Sequence, residues 1–144
     1  MIQFELHGNP IPQKQTRFIR ATGIAYDPSF KEKKQIQWQA KPYAPVNPLL
    51  GPLKLDLTFY FPIPVSTSGV KRRQMVNHVI HHIKKPDVDN CAYLITNAFK
   101  NIFYRDDSQI IDLCMHKRYG EEPKTVVRIT PIEEIAPTRG DECA

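Results

Sequence analysis

Leu53, Leu55, Leu57, Phe59 and Phe61 stand at alternate positions, and residues 53–61 are the plainest periodic signal in the chain. A period of two predicts a strand with one buried face. Ile2, Phe4 and Leu6 repeat the pattern near the N-terminus. Residues 110–117 place Ile111, Leu113 and Met115 on one side, and 126–132 read as a last strand. A turn at 120–124 makes these two a hairpin, and 76–83 reads as a short strand. The period becomes helical at Cys91, Leu94, Ile95, Ala98, Phe99 and Ile102. That stripe is core, and it predicts a helix from Asp89 or Asn90, either a good N-cap, to about Asn101. A second helix is expected from Phe30 to about Ala40 or Pro42. Ser29 and Glu32 have the spacing of a capping box at its start. Its apolar face is thin, and Lys31, Lys33, Lys34 and Lys41 make it a basic, solvated surface helix, with DNA contact the lesser reading.

The segments between are expected to be loops. Residues 8–28 carry Pro10, Pro12, Lys14, Arg17 and Arg20 without clear periodicity. Pro42, Pro45, Pro48, Gly51 and Pro52 mark a rigid connection. Residues 65–77 set small polar side chains beside Lys71-Arg72-Arg73 and read as a flexible loop. The sum is one α+β domain over 1–132, with a mixed, largely antiparallel sheet of about four to five strands and two main helices. Residues 133–144 read as a tail.

Composition narrows the partners. Twenty Lys and Arg face fifteen Asp and Glu, a net charge of +5 that suits a polyanion without requiring one. No run of about 18 or more apolar residues exists, and the N-terminus lacks a signal-peptide pattern, so a cytoplasmic protein with no membrane partner is expected. Cys91, Cys114 and Cys143 lack metal-finger spacing and read as reduced thiols. His78, His81 and His82 read as surface or packing residues, since adjacent His81 and His82 face opposite sides of a strand.

Against this basic background the acids concentrate in one place. Lys84-Lys85-Pro86-Asp87-Val88-Asp89-Asn90 opens the main helix, and Asp106-Asp107 follows it. Pro86 extends the residue before it. If that geometry persists to Asp89, both carboxylates face one point. A hard, oxygen-seeking cation such as Mg²⁺ suits such a cluster. The competing reading has Asp89 and Asn90 only capping the helix and Asp106-Asp107 forming a turn.

Lys85-Pro86-Asp87-Val88-Asp89-Asn90, a helix and then Asp106-Asp107 resemble the RusA family of Holliday junction resolvases. The likeness extends to Phe4, to Gly8-Asn9-Pro10-Ile11-Pro12-Gln13-Lys14 with Arg17, and to Asp106-Asp107-Ser108-Gln109-Ile110. The resemblance implies a homodimeric, Mg²⁺-dependent endonuclease, often phage or prophage encoded, that cuts four-way DNA junctions symmetrically. It implies Asp87, Asp89 and Asp107 as catalytic metal ligands, with Asp106 beside them. Where relatives carry a lysine on the first turns of the helix, this chain has Tyr93, and four residues later Asn97 stands where relatives are often acidic. Lys85 is the candidate to stabilise the transition state, with Lys100 about 10 Å beyond Tyr93. Lys14, Arg17, Lys71, Arg72, Arg73 and Lys84 are the expected DNA contacts. Two other readings stand beside it: a weakened relative that binds branched DNA, and a nuclease for other branched or single-stranded nucleic acid. A helix over 89–101 carries the chain about 18 Å. Residues 102–106 return at most about 16–18 Å. Asp107 therefore rejoins the first pair within one chain only by a direct return or an early helix end, and otherwise a partner subunit contributes.

Overall fold

A computed structural model describes residues 1–134. Strand β1 (Ile2–His7) leads to a ribbon of β2 (Arg17–Ile19) and β3 (Ile24–Tyr26), helix α1 (Phe30–Ala40), strand β4 (Leu53–Pro62), helices α2 (Gly69–Val76) and α3 (Val88–Ala98), and strands β5 (Ile110–Gly120) and β6 (Lys124–Pro131). The main sheet runs β1-β6-β4-β5. Among the described residues, only β4 and β5 pair in parallel in this sheet. This is the α+β, largely antiparallel sheet expected, with four strands in the main sheet and a separate ribbon.

Strand β4 is central, and its alternate side chains from Leu53 to Phe61 are all buried. Phe4, Leu6, Val127 and Ile129 extend that face across the sheet, and α3 closes it with Leu94, Ile95, Ala98 and Phe99. Helix α1 adds Ile36 and Ala40. At about 25 cal/mol per Å² of apolar surface, this face is the main stabilising element.

The expected β5–β6 hairpin does not form, because β4 lies between the two strands. A parallel pair needs a crossover connection; β5 joins β4 in parallel after α2 and α3. The chain then crosses the end of β4 through Glu121–Pro123 to reach its other edge. Gly120 makes this crossing, since a Cβ there would lie 3.0 Å from the Tyr60 ring. Parity in β5 also shifts. Leu113 and Met115 align with Leu55 and Leu57, but Ile111 falls at a register irregularity and is 66% exposed.

Three further expectations change. Residues 69–76 form α2, capped by Ser68 Oγ, which accepts from the Lys71 amide. The helix buries no residue, so it has no apolar stripe to announce it. No strand forms over 76–83: His78 is left-handed (φ 60°), and Val79 and Ile80 donate back to the Gln74 carbonyl. His82 stacks on Phe61 with ring centroids 4.1 Å apart, a packing role as expected. Ser29 does not cap α1 with its side chain. It is buried, and its hydroxyl accepts from the Lys14 amide instead. The expected tail lies, from 135 onward, outside the described residues.

Candidate metal centre and nucleic-acid interface

Asp87 is the last extended residue before α3, following a cis Lys85–Pro86 peptide. It is the N-cap, so Asp89 already lies in the first helical turn. The extended geometry therefore ends at Asp87, and the condition for both carboxylates to face one point, an extended chain through Asp89, is not met. A capping Asp usually accepts from a first-turn amide. Asp87 makes no such bond. Its Oδ1 accepts instead from Lys85 Nζ at 3.1 Å. The N-cap expected at Asp89 or Asn90 thus falls on Asp87 and carries no side-chain capping bond, while Asp106-Asp107 do form the turn that the competing reading expected.

Two segments converge on this turn. The Gln13 amide donates to the Asn90 carbonyl (3.0 Å), while the Lys14 amide reaches Ser29. The basic loop is therefore pinned between the starts of α1 and α3. Lys14 Nζ lies 3.6 Å from Glu32, and Asp27 gathers Gln13, the Ser29 amide and Lys33. Between loop and helix lies a cavity of about 340 Å³ lined in part by Lys14, Lys33, Asn90, Tyr93 and Asn97. Tyr93 thus faces a pocket with two ammonium groups in its wall, both already engaged by carboxylates.

From β5, Lys117 Nζ donates to the Lys84 carbonyl at 2.6 Å. Sequence reasoning missed this residue. Its signal was a charge on inward parity: Lys117 aligns with the buried Phe59. Burial pushes the Cys91 thiol up to about 11, with Lys117 opposing and Asp89 and Asp87 adding to the rise. These charges therefore act on one buried point inside the first turn of α3.

Asp106 and Asp107 are organised separately. Asp106 caps a 3₁₀ turn over Asp107–Gln109, and Gln109 completes a capping box. Gln109 Nε2 also donates to the Leu49 and Gly51 carbonyls, tying the turn to the strand connection. The Ser108 hydroxyl, then Asp107, then Lys100 hold the Asp106 carboxyl below its usual range. Lys100 Nζ lies 3.4 Å from Asp107 and 3.8 Å from Asp106. This ammonium is committed to the second acid pair, not to the position of Tyr93.

The two acid pairs stand toward opposite ends of α3. Its eleven residues span about 16 Å, with Asp87 and Asp89 at the start and Lys100, the partner of Asp107, two residues past Ala98. The helix does end earlier than expected, but the return leads to the far end. Among the described residues, no three His, Cys, Asp or Glu side chains gather closely enough to hold a metal ion. Asp87 and Asp89 alone still match the chemistry of Mg²⁺, which commonly takes one or two carboxylates and completes its shell with water and phosphate.

The remaining basic candidates are spread. Arg17 is exposed on β2 opposite Tyr26. Lys71, Arg72 and Arg73 ride on α2, where Arg72 reaches the Pro64 carbonyl. Lys84 is exposed, held through its own carbonyl. No helix among the described residues is long and apolar enough to cross a membrane.

Comparison with known proteins decides the family. Residues 7–130 match the model of endodeoxyribonuclease RusA. The chain belongs to the RusA family. It is also 31% identical over 137 residues to the uncharacterized protein YqaN of Bacillus subtilis (strain 168), covering 91% of this chain and 96% of that protein. The RusA match runs from the last residue of β1 into β6 and includes both acid pairs. It makes the chain a member of an endodeoxyribonuclease family linked to DNA recombination, as the Lys85–Asn90 and Asp106–Ile110 stretches implied.

Proposed function

We propose that this RusA-family protein is a Mg²⁺-dependent endodeoxyribonuclease that resolves four-way DNA junctions by paired incisions and acts as a homodimer. The observation that carries the reading is the N-cap carboxylate of Asp87, which leaves the helix uncapped and stays directed toward Lys85. Asp87 and Asp89 would hold the cation. A bound Mg²⁺ supplies Lewis-acid polarisation of the scissile phosphate and a more acidic water. Lys85 positions the Asp87 carboxylate and offers positive charge where the phosphate gains negative charge. Lys117 fixes the segment that carries both residues. Lys14, Arg17, Lys71, Arg72, Arg73 and Lys84 contact backbone phosphates without reading bases.

In this reading Asp107 serves the partner subunit's site, with Asp106 alongside. Two features support it. The outer edge of β5 has no strand partner among the described residues, and Ile111 and Leu113 on it are exposed. The acids flank that edge: Asp107 precedes its first residue, and Lys117 near its other end holds the segment leading to Asp87. Antiparallel docking of two β5 edges about a two-fold axis brings the start of one strand beside the end of the other. Each Asp107 then approaches the Asp87–Asp89 turn across the axis.

The test is cleavage of a synthetic four-way junction against matched duplex and single strand, with and without Mg²⁺, beside Asp89→Asn. Junction-selective, Mg²⁺-dependent cutting abolished in Asp89→Asn supports the reading. Binding without cutting favours a DNA-binding relative weakened at Tyr93, and equal cutting of all three substrates contradicts junction resolution.

A further inference from the structure

The outer face of α1 bears an aromatic platform that the nuclease site does not use. Trp38, the sole tryptophan, is 77% exposed. Lys34 stands four residues before it and Lys41 three after, so all three share one side of the helix and its continuation. Neither lysine has a carboxylate partner among the described residues. Beside them opens a cavity of about 430 Å³, whose walls include Gln37, Val46 and Asn101. Gln37 is anchored by donating to the Ala98 carbonyl, and Asn101 holds a left-handed turn (φ 66°). Asn101 follows Lys100, the residue paired with Asp107.

An exposed indole flanked by two ammonium groups that lack a carboxylate, the Lys34 one resting 5.3 Å from the Phe30 ring centroid, defines the kind of ligand it suits: a flat π-system joined to an anion. An unpaired nucleotide has both parts. Bases stack on aromatic side chains while neighbouring lysines follow the phosphates, and such binding tolerates any sequence. The cavity volume lies in the range of small-molecule sites, with an apolar wall and a few polar groups. A paired base presents only its edge to such a platform, so intact duplex cannot occupy it. We infer that the Trp38 cavity is a second DNA site that captures an unpaired nucleotide, stacked on Trp38 with its phosphates at Lys34 and Lys41. It rests on the nuclease reading only for the source of the strand, which would be a branch point or a frayed end.

Tryptophan emission of the full chain in EDTA tests this directly, because cleavage is silent there and the outcome is independent of the metal site. Titration with a twelve-residue oligothymidylate should quench emission saturably. A twelve-pair duplex should need at least tenfold more to do the same. Lys34→Ala with Lys41→Ala should weaken oligothymidylate binding about tenfold. In anisotropy with a labelled strand, Trp38→Phe should retain binding and Trp38→Ala should lose it. Equal quenching by duplex, no response to the single strand, or no effect of the lysine changes on a folded protein would overturn the inference. So would a change of emission on protein dilution alone, which would assign the platform to contact between two copies of the chain.

Discussion

Lys117 Nζ donates to the Lys84 carbonyl across 2.6 Å, so an ammonium rooted in β5 holds the segment that delivers Asp87 to α3. The sheet thereby positions a carboxylate that the helix itself leaves uncapped. Lys117→Met keeps an unbranched apolar stem but removes the ammonium, which is both the donor to Lys84 and the cation 5.5 Å from the Phe61 ring centroid. Mg²⁺-dependent cleavage should fall about ten- to a hundredfold, the scale of a small misplacement at a reacting centre. The thermal midpoint should move by only a few degrees. A cleavage rate within twofold of wild type would show that the tie is dispensable.

Tyr104 connects the second acid pair to the core. Its buried hydroxyl donates to the Thr96 carbonyl at 2.6 Å, and burial, then the Asp107 charge, pushes its pKa up. Tyr104→Phe leaves that carbonyl without its partner inside the protein. The expected cost is about 1–2 kcal/mol, read as a lower urea midpoint with unchanged slope.

The pH dependence of stability should carry a contribution from His82. Burial first, then Lys117 and Lys84, lowers its pKa below the ordinary 6.5, despite an opposing backbone contribution. The folded chain therefore binds fewer protons than the unfolded one just below that value. This contribution is fully present above about 6.5 and is lost as pH falls toward the folded value. Urea unfolding at pH 7.5 and 5.5 should show a smaller loss of stability in His82→Phe than in wild type, because phenylalanine keeps the stack on Phe61 without titrating.

Thiol chemistry gives a local check. Burial raises Cys91 to about 11, whereas Cys114 is half-buried on β5. In a Cys143→Ser background at pH 8, iodoacetamide should label Cys114 in the native protein and Cys91 only after unfolding. Rapid native labelling of Cys91 would mean that the first turn of α3 opens readily.

The elements with strong periodicity were legible in the sequence. Residues 53–61 read as a strand because β4 is buried on one face along its whole length, and the stripe from Cys91 to Phe99 announced α3. Strand order was not legible, since alternation says which face is buried and nothing about neighbours; hence β5 and β6 looked like a hairpin. Helix α2 buries nothing, and the β2–β3 ribbon is three residues a side, so neither left a pattern. At the candidate site, residue types singled out Asp87, Asp89, Asp106 and Asp107 as candidates. Only three dimensions placed them toward two ends of α3 and bound Lys100 to the second pair. Lys117 was hidden as a charge on inward parity.

The central claim is that Asp87 and Asp89 of one subunit work with Asp107 of the other. Asp87→Asn and Asp107→Asn proteins, each inactive alone, should be mixed, co-refolded and assayed on a four-way junction with Mg²⁺. A shared site leaves one of the two centres in each mixed dimer intact, so the mixture should nick one junction strand where wild type cuts two. No cutting by verified mixed dimers would place all the carboxylates of a site in one chain and contradict the account.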